Sequence, residues 1–173
     1  SAGPSEGKSL TISNLAMAYA QMGKKTLLID TDLRRPVLHH IFNTKREPGF
    51  TDLFMGNPDY DRVTKCTEKD NLFLISAGMF TPNPAELLGS NRMIQIIDYF
   101  RNHYDIVFFD TPPIVAVTDA TLLGTKMDGL LIVIKSHHTD RDIALRAVNT
   151  VRNVGVRILG AVLNDINLSH RYS

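Results

Sequence analysis

Residues 1–16 of the chain are SAGPSEGKSLTISNLA, and the rest of the sequence is best understood from this stretch. Gly7, Lys8 and Ser9 stand in the order of the pattern G-x-x-x-x-G-K-[ST], with Ala2 in the place of the first glycine. In that pattern a glycine-rich turn directs backbone N–H groups at phosphate oxygens, and the following helix adds its positive end. The lysine reaches the outer phosphates and the hydroxyl ligates magnesium. The stretch therefore predicts a phosphate-binding loop followed by a helix.

Beyond this loop, apolar runs of strand length alternate with segments of helical period. Such alternation is typical of an α/β protein with a mostly parallel central sheet and helices on both faces. No composition shift marks a domain boundary, so residues 1–173 are predicted to form a single domain. The predicted strands are TLLID (26–30), NLFLISAG (71–78), DIVFFD (105–110), DGLLIVIKS (128–136) and RILGAVLND (157–165).

Two helix starts carry recognisable capping signals. The run PNPAELLGSNRMIQIIDYFRNHY (82–104) predicts one helix, with Asn83 as its cap and Pro84 in the first helical position. Thr139 resembles the first residue of a capping box, and it predicts a helix that continues to about Val154.

Composition excludes some classes of function. The formal net charge is +1 and the sequence pI is about 7.9, so there is no basic field to attract nucleic acid, which is not an expected partner. The single cysteine, Cys66, fits a reducing compartment. No apolar run approaches the roughly 20 residues that span a bilayer, so this domain is expected to be soluble.

Two carboxylates follow the first predicted strand in LLIDTDLRRP (27–36). Asp30 and Asp32 lie at the carboxyl end of that strand, where open parallel sheets place their ligands. Asp32 can also cap a following helix. Two neighbouring carboxylates repel each other, and a bound metal or a catalytic proton relieves that repulsion. Arg34 and Arg35 are close enough in sequence to balance the charge.

A third carboxylate ends another apolar strand. Asp110 in IVFFDTPP (106–113) has the layout of a Walker B aspartate, which holds magnesium directly or through water. Many strands of α/β proteins end in aspartate, so this feature alone is weak. The loop, the paired carboxylates and Asp110, in this order, indicate a site for magnesium and a nucleotide.

The runs PSEGKS, LLIDTDLRRP, PNPAELL and FFDTPP resemble the catalytic domain of the bacterial tyrosine kinases, the polysaccharide co-polymerase autokinases of capsule and exopolysaccharide synthesis. The Asp-x-Asp-x-Arg element, called Walker A′ in that family, is the most specific of these marks. The resemblance covers nearly the whole chain. It implies a three-layer P-loop NTPase fold of the deviant Walker, MinD-like type, with ATP and Mg²⁺ as cofactors and tyrosine autophosphorylation as the reaction.

The resemblance also implies a role for each matching position. Lys8 would contact the outer phosphates, and Asp30 would be the general base toward the tyrosine hydroxyl. Asp32 and Asp110 would organise magnesium and its waters, with the Ser9 hydroxyl as a further ligand. The implied nucleotide-binding residues are Gly3, Pro4, Ser5, Glu6, Gly7, Lys8, Ser9, Leu10 and, near the adenine, Asn164. The sequence leaves open whether the pKa of Asp30 is raised by Asp32 or lowered by magnesium and arginine.

Members of the family assemble into rings, phosphorylate tyrosines near their C termini in trans, and respond to a membrane-embedded activator domain in the same or a partner chain. The resemblance therefore places this domain at the cytoplasmic face of the bacterial plasma membrane, with Tyr172 as a candidate acceptor. A phosphate loop normally follows a central strand. We expect the sequence to be a fragment that lacks this strand and the C-terminal tyrosine cluster.

Two alternatives stay open on the sequence alone, a MinD/ParA-type ATPase and a nucleotide-binding regulatory module. Such ATPases carry a lysine directly after the first glycine position of the loop. Here that place is Gly3, followed by Pro4, and this favours the kinase over the ATPase.

Overall fold

The computed structural model describes residues 1–166, and every strand that the alternation predicts is present. A 3₁₀ helix covers Phe50–Phe54. In chain order the other elements are α1 (Lys8–Gln21), β1 (Thr26–Asp30), α2 (Leu38–Ile41), α3 (Tyr60–Val63), β2 (Lys65–Cys66), β3 (Leu72–Ile75), α4 (Pro84–Gly89), α5 (Asn91–His103), β4 (Ile106–Asp110), α6 (Asp119–Gly124), β5 (Leu130–Lys135), α7 (Arg141–Asn153) and β6 (Ile158–Asn164).

The described residues form two compact units, one of residues 12–112 and one of residues 1–11 with 113–166. The first contains a four-stranded sheet in the order β2-β3-β1-β4. Strand β1 runs parallel to both of its neighbours, and all five of its residues are buried, as expected of a central strand. The short edge strand β2 runs antiparallel to β3 and was not predicted from the sequence.

Helices cover both faces of this sheet. On one face, helices α1 and α2 and strands β1 and β3 share a core of Ala16, Ala20, Leu28, Leu38, Leu72 and Leu74. Phe73 points to the other face because side chains alternate along a strand. Its ring lies 5.6 Å from that of Tyr104, which is 6.1 Å from the ring of Phe100 in α5. This unit therefore has the layered α/β arrangement that the sequence predicts.

The predicted single helix over residues 82–104 is wrong, because the segment forms two helices. Ser90 has extended backbone angles, φ −70° and ψ 159°, and its hydroxyl accepts a hydrogen bond from the N–H of Met93 at 3.2 Å. A serine that caps the next helix competes with continuation of the previous one. Pro84 takes the first helical position of α4 as expected, but the side chain of Asn83 makes no capping bond.

The second unit contains the parallel pair β5 and β6, with Leu130 opposite Ile158 at one end and Lys135 opposite Asn164 at the other. Helices α6 and α7 pack with this pair around a separate apolar core. Its buried members are Ala2, Ile114, Ala120, Ile132, Ala147, Val151 and Val156. Ala2, which takes the place of the first glycine in the loop pattern, is thus anchored in the core of this unit.

Helix α7 begins one residue later than the capping signal predicts. Asp140 is the cap, and its Oδ1 accepts from the N–H groups of Asp142 at 2.7 Å and Ile143 at 3.4 Å. A carboxylate at this position is favoured by the positive end of the helix as well as by the hydrogen bonds. The assignment of Thr139 as the cap is therefore wrong, and its hydroxyl makes other bonds.

The break at Ser90 gives a stability test. Ser90→Ala removes the capping bond of α5 and is expected to lower the free energy of unfolding by about 1 kcal/mol. Asn83→Ala removes no such bond from α4 and is expected to cost less than about 0.5 kcal/mol. Urea denaturation of the full-length protein measures both values. A larger loss for Asn83→Ala than for Ser90→Ala would contradict the assignment of the caps.

Candidate functional site

The loop that opens the chain has the backbone form that a phosphate cradle requires. Ser5 and Gly7 both have positive φ, 56° and 83°, which is rare for residues with a side chain. A Cβ atom at Gly7 would also overlap the side-chain amide of Asn164. The backbone angle at position 7 therefore favours glycine, and a larger residue there would also displace the side chain of Asn164.

Helix α1 begins directly at the end of this loop. The N–H of Thr11 donates to the carbonyl of Gly7 at 2.9 Å, which is the first hydrogen bond of the helix. The first N–H groups of a helix have no partner within the helix, so they and its dipole attract anions. Lys8 and Ser9 are half-buried in this first turn, whereas the side chain of Leu10 is 56% exposed.

Glu6 is the residue of the loop that is tied most firmly to its surroundings. It is only 2% exposed, and its Oε1 accepts a hydrogen bond from the Thr139 hydroxyl at 2.6 Å. The side chain of Asn164 donates to the Glu6 carbonyl at 3.0 Å. Asn164 thus contacts the phosphate loop itself, and its place near an adenine stays a prediction. Sequence reasoning overlooked Thr139 because a capping signal explained it.

In the other unit, the carboxyl ends of β1 and β4 bring their aspartates together. Asp30 and Asp110 are opposite each other in the parallel register. Between Asp30 and Asp32, Thr31 donates twice to the carbonyl of Asp110, from its N–H at 2.9 Å and from its hydroxyl at 2.5 Å. Thr31, which the sequence analysis did not single out, fixes one strand end to the other. A threonine between two aspartates at the end of an apolar run is the signal in the sequence that could have revealed it.

Asp30 is completely buried. Its Oδ2 accepts hydrogen bonds from the backbone N–H groups of Val37 at 3.1 Å and Leu38 at 3.0 Å, where α2 begins. Its Oδ1, also buried, has no hydrogen-bond partner among residues 1–166. The carboxyl group is therefore held firmly on one side and has a vacant acceptor on the other.

The environment of Asp30 favours its protonated form. Burial is the largest cause, followed by the negative charge of Asp110, and together with Asp32 they raise the pKa of Asp30 to about 8. The hydrogen bonds from Leu38 and Val37 oppose this shift without cancelling it. The question that the sequence left open is answered for the ligand-free protein: its pKa is raised, and burial contributes more than Asp32.

The remaining predicted residues of this segment are more exposed. Asp32 is 7% exposed, and its Oδ1 accepts from the backbone N–H of Arg35 at 3.0 Å, so it stabilises the turn after β1. The side chains of Arg34 and Arg35 are exposed. Tyr172 lies outside the described residues.

Two features are absent from residues 1–166, a cluster of metal-ligand side chains and a membrane-spanning helix. Within residues 1–166, no group of three His, Cys, Asp or Glu side chains is arranged to hold a metal ion. Over the same range, no helix combines the length and apolar character needed to cross a membrane.

Comparison with known proteins gives consistent matches. Residues 5–159 match the AAA domain family. The chain is 40% identical over 169 residues to the tyrosine-protein kinase YwqD of Bacillus subtilis (strain 168), covering 98% of this chain and 71% of the relative. It is similar in structure to the kinase domain of the Escherichia coli tyrosine kinase ETK, with a TM-score of 0.91 and 34% identity, covering 99% of this chain and 68% of the other.

A more distant match defines the fold alone. The septum site-determining protein MinD from Pyrococcus horikoshii OT3, solved with Mg-ADP, superposes with a TM-score of 0.76 at 19% identity, covering 92% of this chain and 65% of that one. The three matches confirm the predicted P-loop NTPase fold of MinD-like type and the resemblance to tyrosine kinases.

The raised pKa of Asp30 predicts a pH dependence of stability in the ligand-free protein. The unfolded value is about 4, so the folded state binds this proton more tightly. Its contribution to stability is complete below about pH 4 and is lost as the pH rises through about 8. Relative to Asp30→Asn, the wild-type Tm should fall by about 5 °C or more between pH 5 and pH 8.

Thermal unfolding of the full-length protein across this pH range measures the difference. Asp98→Asn, the same substitution at an exposed position of α5, is the matched control and should follow the wild type. Curves for Asp30→Asn and the wild type that stay parallel would contradict the raised pKa.

Proposed function

The chain belongs to the AAA domain family and to the bacterial tyrosine-protein kinases, and from this we propose that it transfers the terminal phosphoryl group of ATP to tyrosines, its own included, with Asp30 as general base. The observation that carries the assignment of the base is the state of the Asp30 carboxyl group. It is buried, one oxygen is fixed by two backbone N–H groups, and the other is vacant.

The raised pKa suits Asp30 for this role. A tyrosine hydroxyl has a pKa near 10, and an ordinary aspartate near 4, a gap that corresponds to roughly 8 kcal/mol for full proton transfer. With Asp30 at about 8, the gap corresponds to only about 3 kcal/mol. In its ionised form, Asp30 accepts the proton at Oδ1 as the tyrosine oxygen bonds to phosphorus and ADP leaves. Because the N–H groups of Val37 and Leu38 hold Oδ2, the carboxyl group is fixed in one orientation, and Oδ1 is the oxygen left to accept the proton.

The loop at the start of the chain takes the role of nucleotide binding. Its backbone N–H groups and the first turn of α1 bind the phosphate oxygens, and Lys8 contacts the outer phosphates, where charge develops during transfer. The other residues assigned to the nucleotide are Gly3, Pro4, Ser5, Glu6, Gly7, Ser9, Leu10 and Asn164.

The side chains assigned to the metal are those that magnesium prefers. Ser9, Asp32 and Asp110 would hold Mg²⁺ through oxygen atoms, and the mutual repulsion of the aspartates around Asp30 gives a reason for a cation there. Magnesium in phosphoryl-transfer sites uses few protein ligands and completes its shell with water and phosphate, so a larger group of acidic ligands is not required. When bound, it neutralises negative charge on the phosphates.

We assign the biological setting from the similarity to the kinase family. The protein acts as a homo-oligomer of ring type that phosphorylates C-terminal tyrosines in trans, with Tyr172 as a candidate acceptor. A membrane-embedded activator domain, in the same or a partner chain, places it at the cytoplasmic face of the plasma membrane. There it regulates the polymerisation and export of exopolysaccharide or capsule.

The alternative of a MinD/ParA-type ATPase has less support. The match to MinD is at 19% identity and concerns the fold alone, whereas the match to the tyrosine kinase YwqD is at 40%. Those ATPases have a signature lysine at the position that Gly3 occupies in this chain, and Pro4 follows Gly3. This chain therefore lacks the signature lysine.

Incubation of the full-length protein with magnesium and radiolabelled ATP tests the proposal. We expect label on tyrosine in the wild type. Asp30→Asn should lower its rate by about 100-fold or more, since it removes the general base. Lys8→Met should abolish labelling because the outer phosphates lose their cation. Asp98→Asn, an exposed position on α5, is the matched control and should keep the wild-type rate.

Other outcomes of the same assay identify the alternatives. Release of free phosphate without phosphotyrosine would show an ATPase, and nucleotide binding without turnover would show a regulatory module. Equal labelling rates for Asp30→Asn and Asp98→Asn would remove Asp30 from the role of base.

A further inference from the structure

The turn between β5 and α7 makes a side-chain bond to the phosphate loop that the proposed function does not use. In this turn the N–H of Thr139 donates to the carbonyl of Lys135 at 3.0 Å, and the Lys135 N–H donates to the Thr139 hydroxyl at 3.0 Å. The hydroxyl in turn donates to Glu6 Oε1 at 2.6 Å. Because its oxygen accepts from Lys135, the proton of the hydroxyl is directed at the carboxylate.

This turn is itself fixed to the sheet. The N–H of Ser136 donates to the carbonyl of Asn164 at 2.8 Å, and the side chain of Asn164 donates to the carbonyl of Glu6 at 3.0 Å. Glu6 is therefore held twice from outside the loop, by its carboxylate through Thr139 and by its carbonyl through Asn164. Both bonds lie within the unit of residues 1–11 and 113–166.

The loop needs such support because of its own backbone. Ser5 and Gly7, on either side of Glu6, have positive φ, a conformation that a serine adopts only at a cost in free energy. Glu6 also places a carboxyl group in a loop that receives anions. Its carboxylate is turned to Thr139, and its other oxygen is buried without a hydrogen-bond partner among residues 1–166. Thr139 is thus the one donor to this carboxylate within the described chain.

We propose that Thr139 is a positioning residue of the phosphate loop, whose hydroxyl bond to Glu6 holds the loop in the conformation that receives the phosphates of a nucleotide. The inference rests on the proposed nucleotide binding by this loop. By this proposal the β5–α7 turn preorganises the phosphate loop, so that the loop loses less conformational entropy when the nucleotide binds.

Loss of the hydroxyl should weaken nucleotide binding more than it slows phosphoryl transfer. Without it, the carboxylate of Glu6 is buried without a partner, and the loop leaves its binding conformation in part of the molecules. Once bound, the phosphates themselves order the loop. We expect Thr139→Val, which keeps the shape of the side chain, to raise the Kd for ADP and the KM for ATP by about 10-fold, and to change kcat by less than about 3-fold.

The experiment uses the full-length protein, a fluorescent ADP analogue for the Kd, and steady-state kinetics for KM and kcat. Thr139→Ser restores the hydroxyl and should bring Kd and KM back to within about 3-fold of the wild type. Thr150→Val is the matched control, because Thr150 is an exposed residue of α7 whose hydroxyl donates only to the carbonyl of Arg146. In a Glu6→Ala background, Thr139→Val should change Kd by less than about 2-fold, since the two residues act as a pair.

The outcomes separate this inference from the proposed function. A wild type that does not bind the ADP analogue overturns both. A wild type that binds, together with a Thr139→Val variant of unchanged Kd and KM, overturns the inference alone. It is also overturned if Thr139→Ser weakens binding as much as Thr139→Val, or if the effect persists in the Glu6→Ala background. Should circular dichroism show that Thr139→Val does not fold, Thr139→Ala is read against the same criteria.

Discussion

The burial of one carboxyl group at the end of a central strand is the constraint from which the chemistry of this protein follows. Strand β1 is covered on both faces and paired on both edges, so Asp30 at its carboxyl end has no water to solvate its charge. Within residues 1–166, only one of its carboxyl oxygens, Oδ2, accepts hydrogen bonds, and these come from the N–H groups of Val37 and Leu38. The ionised form of a carboxyl group in this state binds a proton readily, and it can take one from a weak acid such as a tyrosine hydroxyl.

The aspartates at the strand ends and the phosphate loop are each held in place by the hydroxyl of a threonine. Thr31 fastens the end of β1 to the carbonyl of Asp110, and so sets the spacing of the aspartates. Thr139 fastens Glu6 in the middle of the phosphate loop. A short β-branched side chain has few rotamers, so little entropy is lost when its hydroxyl is held in one direction. Neither residue carries the chemistry, but each one limits where its neighbours can be.

The sequence predicted the features that depend on local pattern, and it failed where two local signals compete. The strand Thr26–Asp30 has the predicted bounds. The helix break at Ser90 was overlooked because apolar periodicity continues through it, and Asp140 displaced Thr139 as a cap because the two lie side by side. The raised pKa of Asp30 could not be predicted, since it depends on burial by distant parts of the chain.

A carbon-13 NMR titration of the Asp30 carboxyl group in the ligand-free protein tests directly whether burial raises the pKa of this group. The aspartate resonance is assigned by its loss in Asp30→Asn and followed from pH 4 to pH 10. The account predicts a midpoint near 8, above which the carboxylate that acts as the base predominates. A midpoint near the ordinary value of about 4 would show that burial does not control this group, and the explanation of its role as a base would fail.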